Sequence, residues 1–139
     1  LQQNVYLYGY REDVLEIMRH TDIGVVSSVD SEVICRVAVE FFSVGKPVIA
    51  FPTGALPEII QDGVTGRIAK DKSAEALGEM WEGMRASPEC MAELGKNARQ
   101  QSLERFDPNK LLEQTLSVYE QSWQHLQSQL VTGEANVRP

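Results

Sequence analysis

The spacing of apolar residues changes along the chain, and each change marks an element. Val5-Tyr6-Leu7-Tyr8 is a β-branched and aromatic run closed by Gly9, which predicts a strand. Between Arg11 and His20 the apolar residues Val14, Leu15, Ile17 and Met18 keep the i, i+3, i+4 spacing of one helix face. Ile23-Gly24-Val25-Val26-Ser27 predicts a second strand, and loop residues 28–31 lead from it. A helix is then expected from Ser31 through Glu40, stopped by Gly45 at C′ and Pro47 two residues beyond. Pro47-Val48-Ile49-Ala50-Phe51 predicts a third strand. Thr53-Gly54-Ala55-Leu56-Pro57-Glu58 turns into a short helix through Ile60. Asp62-Gly63-Val64-Thr65-Gly66 reads as a tight turn, and Arg67-Ile68-Ala69 as a fourth short strand.

The second half is helical throughout. Ser73 is placed to N-cap one helix, Pro88 opens another that reaches Phe106, and Asp107-Pro108 opens a last one ending near Leu130. Met80, Trp81 and Met84 fit core packing, and Tyr119 and Trp123, four apart, fit a buried stripe on the last helix. Residues 131–139 have no periodicity and predict a frayed tail, which leaves residues 1–130 as one domain. Strands alternating with helices predict parallel βαβ units: an α/β, Rossmann-like parallel sheet flanked by helices.

The formal net charge of −7 argues against a nucleic-acid partner, which calls for a basic patch. His20 and His125 are isolated, and no metal-ligand spacing occurs, so neither a metal nor a cofactor is expected. The two cysteines, Cys35 and Cys90, form no CxxC pair and read as reduced thiols of a cytoplasmic protein.

Candidate chemistry concentrates in one segment, Ser31-Glu32-Val33-Ile34-Cys35-Arg36-Val37-Ala38-Val39-Glu40. Eight residues of helix would set Glu32 and Glu40 roughly 12 Å apart along the axis. That is a span fit for a sugar at one end and a ribose at the other. The helix N-terminus would offer free N–H groups and a positive dipole end to a pyrophosphate between them. Each carboxylate accepts hydrogen bonds only, and so suits a diol. Arg36 sits unfavourably against the dipole in the first turn, which points either to a phosphate or carboxylate partner or to a salt bridge with a nearby acid. Glu58 reads as ordering its own short helix.

From Asp22 to Ala69 the chain resembles the C-terminal, donor-binding domain of retaining glycosyltransferases of family 4. The resemblance rests on Asp22-Ile23-Gly24-Val25-Val26-Ser27-Ser28, Ser31-Glu32, Arg36-Val37-Ala38-Val39-Glu40, Gly45-Lys46-Pro47-Val48-Ile49-Ala50, Leu56-Pro57-Glu58-Ile59-Ile60 and Asp62-Gly63-Val64-Thr65-Gly66. It implies a GT-B enzyme that transfers a hexose from a nucleotide sugar to an acceptor glycan, lipid or small molecule, with retention and without a bound metal. The resemblance makes Glu32 the catalytic-side contact to the donor sugar and Glu40 the ribose ligand. Ser31 and the backbone of Val33, Ile34, Cys35 and Arg36 would meet the phosphates or sugar, and Gly9, Tyr10 and Arg11 would lie near the base. It also implies cytoplasmic work, with the parent enzyme peripheral at the inner face of the membrane.

Two departures qualify the resemblance. Val33-Ile34-Cys35 stands where the family commonly carries glycines, and Gly54-Ala55 stands where it carries Gly-Gly. The family domain also begins with two further strand–helix units, so the chain reads as a fragment, inactive by itself. Residues 5–8 and 23–27 would then either pair with each other or leave an open edge covered by another chain, with self-association as one outcome. The competing functions are a non-catalytic Rossmann-like assembly module and another GT-B enzyme of epimerase or phosphorylase type.

Overall fold

The computed structural model describes residues 4–132. By backbone contacts the chain divides into two compact units, residues 1–104 and 105–139.

The first unit holds a parallel three-stranded sheet of β1 (Gly24–Val26), β2 (Val48–Ala50) and β3 (Gly66–Ile68), in that order. Gly24 pairs with Val48 and Val48 with Gly66, so the strands are in step and their carboxyl ends fall on one side. All three residues of the central strand are buried, as expected of a parallel strand covered on both faces. The flanking helices are α1 (Val14–Arg19), α2 (Arg36–Ser43), α3 (Leu56–Ile59), α4 (Ala74–Arg85) and α5 (Pro88–Arg105). Ile49 forms a core cluster with Met84 and Leu94, supported by Ile23, Leu77, Met80 and Met91. Phe51, Ala69 and Ala76 form a second. Met84 is therefore the core residue that its helical spacing indicates, whereas Trp81 remains 45% exposed.

Caps and stops follow local sequence closely. Ser73 precedes α4 in extended conformation and its hydroxyl accepts from the Ala76 N–H at 3.1 Å. At the end of α2, Gly45 takes φ +74 and donates to Phe42, while Lys46 donates to Phe41. That pair of bonds is a complete Schellman stop. Gly63, also at φ +74, turns the chain from α3 into β3.

Three expectations need correction. Residues 5–8 form no strand: Val5, Tyr6, Leu7 and Tyr8 are 59–95% exposed. A lone extended segment gains nothing from strand geometry until a neighbour accepts its hydrogen bonds. They therefore do not pair with residues 24–26, and β1 is an edge of this sheet. The third correction is to α2, which begins at Arg36, with Cys35 as N-cap, not at Ser31.

The second unit carries α6 (Pro108–Thr132). Leu112, Leu116, Tyr119, Trp123, Leu126 and Leu130 recur along it at alternating four- and three-residue steps. The expected stripe exists, but it is not buried: Tyr119 is 67% and Trp123 60% exposed. The expected tail lies outside the described residues from 133 onward.

Candidate nucleotide-sugar site

Because the sheet is parallel, the segments leaving the three strands, residues 27–35, 51–55 and 69–73, emerge on one side. In open α/β sheets this is the side that holds ligands. Residues 27–35 form the longest of these segments. Cys35 alone is buried there, while Val33 and Ile34 are 79% and 75% exposed.

The segment is held by contacts from distant sequence. The Glu32 carbonyl accepts the Ala55 N–H at 2.8 Å. Gly54 lies so close beneath it that a Cβ there would stand 2.0 Å from the Glu32 oxygen. Gly54 is at φ +53, and Ala55 is in ordinary right-handed conformation. This explains the Gly-Ala pair: the first position needs glycine and the second does not. The Ser28 hydroxyl donates to the Glu32 carboxylate at 2.7 Å, and the Lys72 ammonium donates to the Val29 carbonyl at 2.6 Å. No described non-glycine residue has positive φ, so Val33 and Cys35 occupy the glycine positions without backbone strain.

Glu32 and Glu40 do not share a helix. Glu32 lies in the loop, half-buried, and Glu40 lies on α2 with its side chain 32% exposed. Helical rise therefore does not set their separation. Both bear electrostatically on Cys35, a residue 1% exposed at the helix start. Burial pushes this thiol above its usual range. The Ala38 N–H opposes the shift, and the charges of Glu32 and then Glu40 add to it.

Of the expected N–H donors, that of Arg36 is already committed to the Ile34 carbonyl at 2.9 Å. The Arg36 side chain, 83% exposed, stands 3.7 Å from the Glu40 carboxylate, the salt-bridge alternative that sequence left open. Ser31 is exposed beside Glu32. Gly9 and Tyr10 are exposed, and Arg11 is engaged with Asp13 at 2.7 Å and stacks over Tyr8. The structure thus gathers Ser31, Glu32, Cys35, Arg36 and Glu40, leaves Gly9 and Tyr10 exposed, and engages Arg11 with Asp13 and Tyr8.

Sequence reasoning passed over Ser28, Gly54, Ala55 and Lys72 as parts of this site. Only the glycine ahead of Leu56-Pro57-Glu58 carried a readable signal. Among the described residues no helix is long and apolar enough to cross a membrane.

Comparison with known proteins gives this arrangement a context. Spore coat protein SA of Bacillus subtilis is 30% identical over 112 residues, covering 80% of this chain. The MMP alpha-(1->4)-mannosyltransferase of Mycolicibacterium hassiacum is 33% identical over 86 residues, or 61% of this chain. The chain spans 30% and 21% of their lengths. Among solved structures, Anabaena HepE in complex with UDP superposes with a TM-score of 0.78 at 28% identity. That match covers 84% of this chain and 33% of HepE, which was also solved with UDP-glucose. The family described as Glycosyl transferases group 1 matches residues 1–101, and the chain belongs to that family.

Proposed function

We propose that this chain is the donor-binding part of a retaining, metal-independent hexosyltransferase that takes its sugar from a nucleotide diphosphate sugar. The observation that carries the proposal is the backbone lock of Glu32 onto Gly54 and Ala55. It fixes a half-buried carboxylate at the carboxyl ends of the strands, where its charge and that of Glu40 on α2 both bear on Cys35. The complexes of HepE with UDP and UDP-glucose support the donor class.

In this reading Glu40 accepts both ribose hydroxyls, for which an acceptor-only carboxylate is suited. Arg36 turns from Glu40 to the diphosphate, where its exposed guanidinium neutralises charge as the bond to the sugar breaks. Glu32 holds donor-sugar hydroxyls and orients the anomeric carbon toward the acceptor, with Ser28 fixing its carboxylate. Ser31 and the loop backbone at residues 33–35 line the phosphate and sugar, and Gly9, Tyr10 and Arg11 approach the base. The acceptor, a glycan, lipid or small molecule, is supplied from outside this chain, which by itself transfers no sugar. The work is cytoplasmic.

Titration calorimetry of the full-length protein with UDP-, GDP- and ADP-glucose tests the reading. Two charge-assisted hydrogen bonds lost in Glu40→Ala should weaken binding about tenfold to hundredfold. Glu32→Gln should keep UDP affinity and abolish transfer. Absence of binding by all three donors, or binding indifferent to Glu40→Ala, overturns it.

A further inference from the structure

The loop of residues 27–35 lacks a core of its own. Residues 27, 29–31, 33 and 34 are exposed, and Cys35 is its one buried side chain. Such a segment takes its conformation from whatever ties it down. One tie comes from the turn after β2, where Ala55 holds the Glu32 carbonyl. The other comes from the turn after β3, where Lys72, 43 residues away in sequence, reaches the Val29 carbonyl. We infer that Lys72 is a positioning residue for the sugar end of the donor site: its ammonium latches the loop that carries Glu32 and leaves the Glu40 end alone. This rests on the donor-site reading above.

The latch has a rigid base and a soft tip. On one side of Lys72, Asp71 accepts from the backbone N–H of Ser73 at 3.0 Å and from its hydroxyl; on the other, Ser73 caps α4. The backbone of Lys72 is therefore fixed to a helix start. Its side chain is a compact charge on a flexible four-carbon stem, free to release a carbonyl and take it again. Val29 lies three residues ahead of Glu32, and the Ser28 hydroxyl that bonds the Glu32 carboxylate precedes it directly. Releasing the Val29 carbonyl loosens the backbone between Ser28 and Glu32, the two residues that this hydroxyl–carboxylate hydrogen bond joins. Glu40 is independent of this, because it stands on α2 between the fully buried Ala38 and Phe42.

The test compares wild type, Lys72→Met and Lys72→Arg in the full-length protein, with UDP and UDP-glucose as probes, and GDP and ADP counterparts run alongside. Lys72→Met should weaken the nucleotide sugar about fivefold while the free nucleotide changes less than twofold, and Lys72→Arg should restore most of the loss. Without ligand, hydrogen exchange at the Ala55 amide should quicken in Lys72→Met and return in Lys72→Arg. Unchanged exchange, or an equal loss of nucleotide and nucleotide sugar, overturns the latch while the donor-site reading stands. Wild type that binds none of the donors overturns both.

Discussion

The backbone oxygen of Glu32 rests on Gly54, with the Ala55 N–H donating to it at 2.8 Å, so a candidate catalytic carboxylate is positioned through its main chain. Side-chain packing plays little part, since the residues beside it in the loop are exposed. Fixing the peptide holds Glu32 through its main chain, while its carboxylate accepts the Ser28 hydroxyl at 2.7 Å.

This contact predicts an unequal pair of glycine substitutions. Gly54 and Gly63 both have positive φ, at +53 and +74, but only Gly54 faces another backbone. Gly63→Ala should cost about 1 kcal/mol, the price of left-handed conformation alone. Gly54→Ala adds a contact of 2.0 Å to a carbonyl that cannot swing aside, and should cost about 2–4 kcal/mol. Urea midpoints of the two variants check this. Equal losses would mean that the loop yields freely and that Glu32 is not locked.

A second pair concerns helix interiors. Alanine ordinarily stabilises a helix over glycine by about 1 kcal/mol. Gly83 on α4 has open space at its Cβ position, so Gly83→Ala should gain about 0.5–1 kcal/mol. Gly95 on α5 would place a Cβ 2.4 Å from the Gly45 carbonyl and 3.3 Å from the Pro47 ring. Gly95→Ala should therefore lose about 1–3 kcal/mol despite better propensity, because α5 is forced off the turn that ends α2. Thermal melts with opposite signs for the two variants are expected.

What could be read from sequence was what neighbours in sequence decide. The stop at Gly45 and Pro47, the Ser73 cap and the buried run at Val48-Ile49-Ala50 depend on local chemistry, and all three hold. The start of α2 lies later than local sequence indicates because Ala55, twenty-three positions on, captures the Glu32 carbonyl and keeps residues 32–35 out of the helix. Val5-Tyr6-Leu7-Tyr8 has strand composition, yet a strand also needs a neighbour, and composition does not supply one. Lys72 gave no signal, since a lysine in a charged turn looks the same whether it meets water or a carbonyl 43 residues away.

The buried thiol beside the two carboxylates predicts a pH effect. Burial, reinforced by Glu32 and Glu40 and opposed by the Ala38 N–H, raises the pKa of Cys35 in the folded protein. Below the ordinary thiol range both folded and unfolded states keep the proton, and Cys35 leaves stability unchanged with pH. Above that range the unfolded chain ionises while the fold still holds its proton. Stability then falls as pH rises, by at most about 1.4 kcal/mol per pH unit from this group, until the folded pKa is passed. Cys35→Ala should flatten that alkaline slope in urea titrations, and Cys90→Ala, at an exposed position, serves as its reference. Iodoacetamide should correspondingly modify Cys90 in the native protein and reach Cys35 only on unfolding. Rapid native labelling of Cys35, or an alkaline slope unchanged in Cys35→Ala, would show that the thiol is open to solvent and that the loop does not seal the start of α2.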